Sequence, residues 1–123
     1  MKLTALAAAF EAVVGLLLIV NPSVVVWLLL GADLAAAGHV VGRLAGIALL
    51  ALGLACWPSR EPVSRNSAAT RGLLTYNALA AVLFLYVGVR GEFVGLLLWP
   101  AVAIHALLAI LFARIAVVDI PTM

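Results

Sequence analysis

The chain has 123 residues, 67% of them apolar and 10% charged, with a mean hydropathy of +1.31 and a formal net charge of +2. A soluble domain carries about a quarter charged residues, and one this small has too much surface for its volume to hide so much hydrocarbon. A water-soluble globular domain is therefore excluded, and lipid is the solvent that fits. The Lys and Arg residues are scattered, with no basic stripe interleaved with aromatics, which excludes a nucleic-acid surface and leaves the charge to be read as topology.

In chain order, residues 3–20 form the first predicted span, interrupted only by Thr4 and Glu11. A basic start at Lys2 and the run Ala7-Ala8-Ala9 superficially suggest a signal peptide. The apolar stretch before those alanines is too short for one, however, and hydrophobicity continues past Glu11, so the segment is expected to be retained. Asn21-Pro22 stops it.

Residues 23–37 are different. Val24 to Leu30 are apolar, but Gly31 and Asp33 cut the run off well short of the roughly 20 residues a span requires. This segment is expected to lie in the interface or to re-enter, with Trp27 as a headgroup-level anchor.

The second span covers 38–57 and ends at Pro58. It carries Gly38, Gly42 and Gly46 at four-residue spacing and Gly53 further on, a groove on one face where another backbone can approach closely. The partner is a helix of the same chain, the commoner arrangement, or a second copy. Cys56 is the sole cysteine, so no intrachain disulfide is possible, and it is expected to behave as a small hydrophobe.

Residues 58–70 (PSREPVSRNSAAT) are hydrophilic and predict a water-exposed loop; Ser59, Ser64 and Ser67 have no histidine nearby and make no hydrolase triad. The third span covers 71–89, Arg90-Gly91-Glu92 makes a tight polar turn, and the fourth span covers 93–115 before a short tail. Pro100 predicts a kink in that last span by freeing the carbonyl of Leu96. The fold class is thus all-α, an integral membrane four-helix bundle in one domain with a short interfacial or re-entrant segment between the first two spans.

Four spans put both termini and the loop on one side. That side holds Lys2, Arg60, Arg65, Arg71 and Arg114, against Arg90 and Arg43 on the other, so the positive-inside rule places the termini in the cytoplasm.

Each span contributes a polar group that hydrocarbon penalises: Glu11, Arg43, Asn77 and His105. An ionisable group at the bilayer centre costs a few kcal/mol, so it turns inward and finds a partner, and it marks a functional site by default. At about 1.5 Å per residue, Glu11, Asn77 and His105 fall at one level in the half nearer the termini. Arg43 enters from the opposite side and is expected in an upper layer with Trp99 and Tyr86. Helical side chains lean towards their own amino terminus, which draws Glu11 and Arg43 apart and makes Glu11–His105 the easier contact. Arg43 has Asp33 or His39 as further candidates. Glu11, Arg43, Asn77, His105, Tyr76 and Trp99 are therefore the candidates for ligand binding or a proton relay, the alternative being that Glu11, Asn77 and His105 satisfy one another and hold the register. The two histidines lie at different depths and no HExxH-type spacing occurs, so no metal site and no cofactor are predicted.

The stretches FEAVVGLLLIVNPS (10–23), GRLAGIALLALGLACW (42–57), TYNALAAVLFLY (75–86) and IHALLAILFAR (104–114) give the chain a pattern that resembles the DoxX-like group of small bacterial four-helix membrane proteins. The resemblance implies a bacterial inner membrane, and, by analogy with some members, partnership with oxidoreductases that handle thiols or quinones; the lack of a cysteine pair puts thiol chemistry of the chain's own in doubt. Glu11 in the first span is also similar to the small multidrug resistance transporters, whose pattern in the third and fourth helices is missing here.

Three functions follow as expectations. The first is a protein that binds a small lipophilic ligand (lipid, quinone or isoprenoid) or serves as accessory subunit of a membrane complex. The second is a proton-coupled transporter or channel working as a homodimer, with Glu11 as protonation site. The third is a membrane enzyme using Glu11 and His105 as acid and base on an isoprenoid or sterol-like substrate. The partners implied are the bilayer, a lipophilic molecule, and a second copy or a partner membrane subunit.

Overall fold

The structure, a computed structural model, describes residues 2–58 and 67–118. The chain forms five helices: α1 (Lys2–Val20), α2 (Pro22–Leu30), α3 (Ala36–Ala55), α4 (Ala68–Arg90) and α5 (Leu98–Val118). Four of them, α1, α3, α4 and α5, are long and apolar enough to cross a membrane. Leucines, valines and tryptophans such as Val20, Leu44, Leu79 and Val94 cover the outside, as hydrocarbon as solvent demands. The chain is a multi-pass membrane protein. Most of the hydrophilic loop expected at 58–70, positions 59–66 with Arg60 and Arg65, lies outside the described residues, as do 119–123.

The short segment after the first span is helical. Asn21 and Pro22, which end α1, also start α2: the Asn21 side-chain oxygen accepts from the Val24 N–H, and Pro22 stands where its missing N–H costs nothing. Gly31, at φ 66°, closes α2 in the left-handed conformation and donates its N–H to the Trp27 carbonyl at 2.8 Å. At about 1.5 Å per residue, nine residues reach roughly half-way through hydrocarbon, so α2 does not cross. Its far end is tied to the segment before α5: the Leu97 N–H donates to the Leu28 carbonyl at 2.8 Å, and Gly95 lies so tightly against Leu28 and Leu29 that a side chain there would collide with their backbone.

That tie corrects the predicted fourth span. Residues 93–97 are apolar but not helical, because they lie across the end of α2, and α5 begins only at Leu98. Pro100 therefore sits in the first turn of α5, where a missing N–H is harmless, and does not kink a mid-span helix.

The long helices associate as two pairs, α1 with α3 and α4 with α5, which touch each other much less than the members of each pair do. The α1–α3 seam explains the glycines. A methyl group at Gly46 would stand 2.6 Å from the Gly15 carbonyl oxygen, one at Gly15 would stand 2.6 Å from the Gly46 oxygen, and one at Gly53 would stand 2.7 Å from the Ala8 oxygen. Backbone meets backbone here, the contact that small residues permit and that replaces hydrophobic drive in lipid. Gly46 and Gly53 thus serve a helix of the same chain. Gly42 instead faces the Pro22 ring, and Gly38 faces only the Leu34 side chain of its own approach loop.

At the end bearing the termini the four helices close on a solid core of Ala7, Ala8, Cys56, Leu73, Leu108 and Phe112. Cys56 is part of that core. Towards the α2 end the pairs part.

The seam makes a comparison of alanine variants decisive. Gly46→Ala forces a methyl group onto the α1 backbone and is expected to cost about 1–3 kcal/mol of unfolding free energy in detergent or bicelles. Gly38→Ala meets only the mobile tip of Leu34 and is expected to stay within about 0.5 kcal/mol of the wild type. Equal effects of the two substitutions would contradict the close α1–α3 approach.

Candidate functional site

Where the pairs part, α2 roofs a cavity of about 400 Å³. Its walls come from α1 (Phe10, Val14, Leu18), α3 (Ala45, Leu49), α4 (Tyr76, Phe84) and α5 (Leu97, Ala101, Ile104), and Val25, Val26, Leu28 and Leu29 of α2 close it above. Three ionisable residues interrupt this apolar lining: Glu11 and His105, at the floor where the cavity meets the solid core, and Tyr76, whose ring packs edge-on to His105. The volume falls in the range of small-molecule pockets, and a few polar groups in an apolar wall is the composition such pockets have.

The floor is built from one residue on each of three helices. Asn77 and Glu11 are fully buried and His105 nearly so. Asn77 Nδ2–H donates to the Leu73 carbonyl one turn earlier on α4 at 2.8 Å, and its Oδ1 lies 2.8 Å from His105 Nδ1. The imidazole is boxed by rings: Phe10, Tyr76 and Phe84 have centroids 6.1, 5.7 and 5.5 Å from its own. These contacts fix the ring on α4 and α5, the pair that packs together.

Glu11 belongs to the other pair. Neither of its carboxyl oxygens has a hydrogen-bond partner among the described residues, although the side chain has no exposure at all. The expected Glu11–His105 hydrogen bond is not made, because Asn77 has taken the imidazole nitrogen on its own side and the parted helices leave the carboxyl facing the cavity. Nor do the three residues satisfy one another: two do, and the third is left over. An uncompensated buried polar group costs about 1–3 kcal/mol, and more if it is charged, so the site holds a deficit that an occupant can remove.

The remaining candidates go elsewhere. Arg43 does not join an upper layer with Trp99 and Tyr86: its Nε–H donates to the Ile19 carbonyl at the end of α1, 3.2 Å away, on the outside of the bundle. A helix end with free carbonyls is a better partner for a guanidinium than the aromatic rings are. Trp99 is half exposed and lies over Gly88 of α4. Tyr86 is exposed, with the Arg90 guanidinium 5.9 Å above its ring. His39 lies against Ser23, whose hydroxyl is 3.3 Å from Nε2, and pins α3 to α2. Tyr76 does line the cavity. Phe10, Phe84 and the α2 roof were not singled out from the sequence; an aromatic in an apolar helix carries no mark of facing inward.

A second opening adjoins the first. A groove of about 700 Å³ runs between α3 and α4, lined by Ala48, Leu52, Gly72 and Thr75 with Arg71 at one end, and it shares Ala45, Leu49 and Tyr76 with the cavity.

The unpaired carboxyl gives a test on stability alone. Glu11→Met removes an unsatisfied group without opening a hole, so it is expected to stabilise the ligand-free protein by about 1–3 kcal/mol. Asn77→Leu strands His105 and is expected to destabilise by about the same amount. Both are read from equilibrium unfolding in detergent; a destabilising Glu11→Met would mean that the carboxyl is bonded after all. Compared with known proteins, the chain matches no protein-family model, no curated protein and no solved structure.

Proposed function

We propose that this chain binds a small lipophilic molecule in the cavity between its two helix pairs, with the polar head of that molecule on Glu11 and His105 and its tail among Leu18, Leu49, Ile104 and the α2 roof. The observation that carries the reading is the buried carboxyl with two unpartnered oxygens facing an apolar space of about 400 Å³. In a helix bundle whose only task was to hold together, a leucine at this position would serve better. At about 30 Å³ per water-sized atom, the cavity takes at least a dozen heavy atoms, the scale of a quinone head or a short isoprenoid and not of a whole phospholipid.

The groove between α3 and α4 supports entry from the bilayer: a ligand dissolved in the acyl chains reaches the floor past Ala48 and Tyr76 without crossing water. The membrane belongs to the same proposal. Lys2, Arg71 and Arg114 stand at the end that carries the termini and Arg43 and Arg90 at the other, in keeping with a bacterial inner membrane and cytoplasmic termini. Membership in the DoxX-like group, whose bundle is of this kind, is part of the proposal too.

Native mass spectrometry of the protein released from lipid nanodiscs tests it. A small apolar adduct is expected on the wild type, and Ala101→Trp, which fills the cavity from α5, is expected to abolish it while the protein remains folded. An adduct unaffected by Ala101→Trp and by Glu11→Met, or no binding of any quinone, isoprenoid or fatty alcohol offered, would contradict the proposal.

A further inference from the structure

The hydrogen bonds behind His105 determine what its cavity-facing nitrogen can accept. A backbone carbonyl has lone pairs and no hydrogen, so the Asn77 atom 2.8 Å from the Leu73 oxygen is the amide nitrogen. The amide oxygen is then the atom 2.8 Å from His105 Nδ1, and an amide oxygen only accepts. His105 Nδ1 therefore carries a hydrogen. A neutral imidazole has one, which leaves Nε2 with a bare lone pair. Nε2 makes no hydrogen bond among the described residues, and His105 lines the cavity together with Glu11.

The floor of the cavity thus presents three acceptor atoms, Nε2 and the two Glu11 oxygens. At most one hydrogen stands among them, the one the carboxyl holds when it is protonated. An ether, ester or ketone brings only lone pairs, so it can accept that hydrogen or the one on the Tyr76 hydroxyl, and in either case leaves Nε2 unpaired. A hydroxyl donates to Nε2 while it accepts from the protonated carboxyl and so pairs both; against the ionised carboxylate its single hydrogen still pairs one acceptor where an ether pairs none. We propose that the ligand carries a hydroxyl head, that of a lipophilic alcohol or phenol, and that Asn77 is the positioning residue that selects it by holding the imidazole in the Nδ1–H form. This rests on the ligand-binding reading above and narrows it to a chemical class.

Two measurements on the full chain in nanodiscs test the inference. In the first, binding of n-dodecanol is compared with that of n-dodecyl methyl ether, which has the same tail and no donor. The alcohol is expected to bind at least about tenfold more tightly, since a site built around a hydrogen bond rejects the analogue that lacks it. Asn77→Leu, which frees the ring to exchange tautomers, is expected to erase that preference. In the second, nitrogen-15 NMR of the imidazoles, with His39→Gln to leave one histidine, is expected to show Nδ1 protonated and Nε2 bare in the wild type and a mixture in Asn77→Leu. The tautomer read with Asn77 in place depends neither on finding a ligand nor on the stability of Asn77→Leu.

Equal binding of alcohol and ether, or an Nε2–H tautomer in the wild type, overturns the hydroxyl selection and leaves the ligand-binding reading standing. If neither compound binds, and Ala101→Trp removes no adduct from the native protein, both readings fall together.

Discussion

In hydrocarbon a polar side chain has no water to turn to, so each must find a partner inside the protein or be left with the full cost of its burial. This bundle meets that demand in its floor at Asn77 and at His105 Nδ1, but not at Glu11. Asn77 and His105 bond each other and the α4 backbone, while the carboxyl, fully enclosed, bonds nothing described. The arrangement follows from which helices pair. Glu11 rides on α1, held to α3, and its natural partners ride on α4 and α5 across the gap. One unsatisfied group at the edge of an apolar space is what separates a binding site from a structural core.

The pairing itself comes from small residues. Gly15 on α1 meets Gly46 on α3, and Ala8 and Ala12 meet Gly53, so that these two backbones approach closely at both places. Such a seam leaves the pair no bulk with which to fill the centre of the bundle. At the end bearing the termini, Leu73, Leu108 and Phe112 from the other pair fill it instead. Beyond Glu11 and His105 the cavity opens between the pairs, and α2 closes it from above. The roof is secured at three places: the Asn21–Pro22 start, the Ser23–His39 contact and the Leu28–Leu97 hydrogen bond. The segment between the first two spans is thus a lid in the plain structural sense, a short helix whose inner face is lining and whose Trp27 stays outside.

Much of this was legible in the sequence, for physical reasons that differ from place to place. The four spans follow from length and hydropathy, and the failure of the segment at 23–37 to cross follows from Gly31 and Asp33. Glu11, Asn77 and His105 stand out because so few polar residues occur in the spans, and depth counted along a helix brings them to one level. What the sequence could not convey is who pairs with whom. Depth does not say which helices are neighbours, so the Glu11–His105 bond was the natural expectation and Asn77 took the position instead. Arg43 was misplaced for a similar reason: the free carbonyls at the end of α1 become its partner only once α3 is known to lie there. Residues 93–97 look like span because they are apolar, but Gly95 and Leu97 are tied to the end of α2, and the helix starts only after them. Gly38 and Gly46 share a spacing and not a task, since only the second faces a backbone from another element.

The Glu11 carboxyl thus waits for a partner that the described residues do not supply. An experimental density map of the protein purified in native lipid tests it most directly. The account predicts non-protein density between the helix pairs, beneath α2, with one end within hydrogen-bond distance of a Glu11 oxygen and of His105 Nε2. A clearly empty space, with the Glu11 side chain bonded to Asn77 or His105 or turned out to the acyl chains, would contradict it.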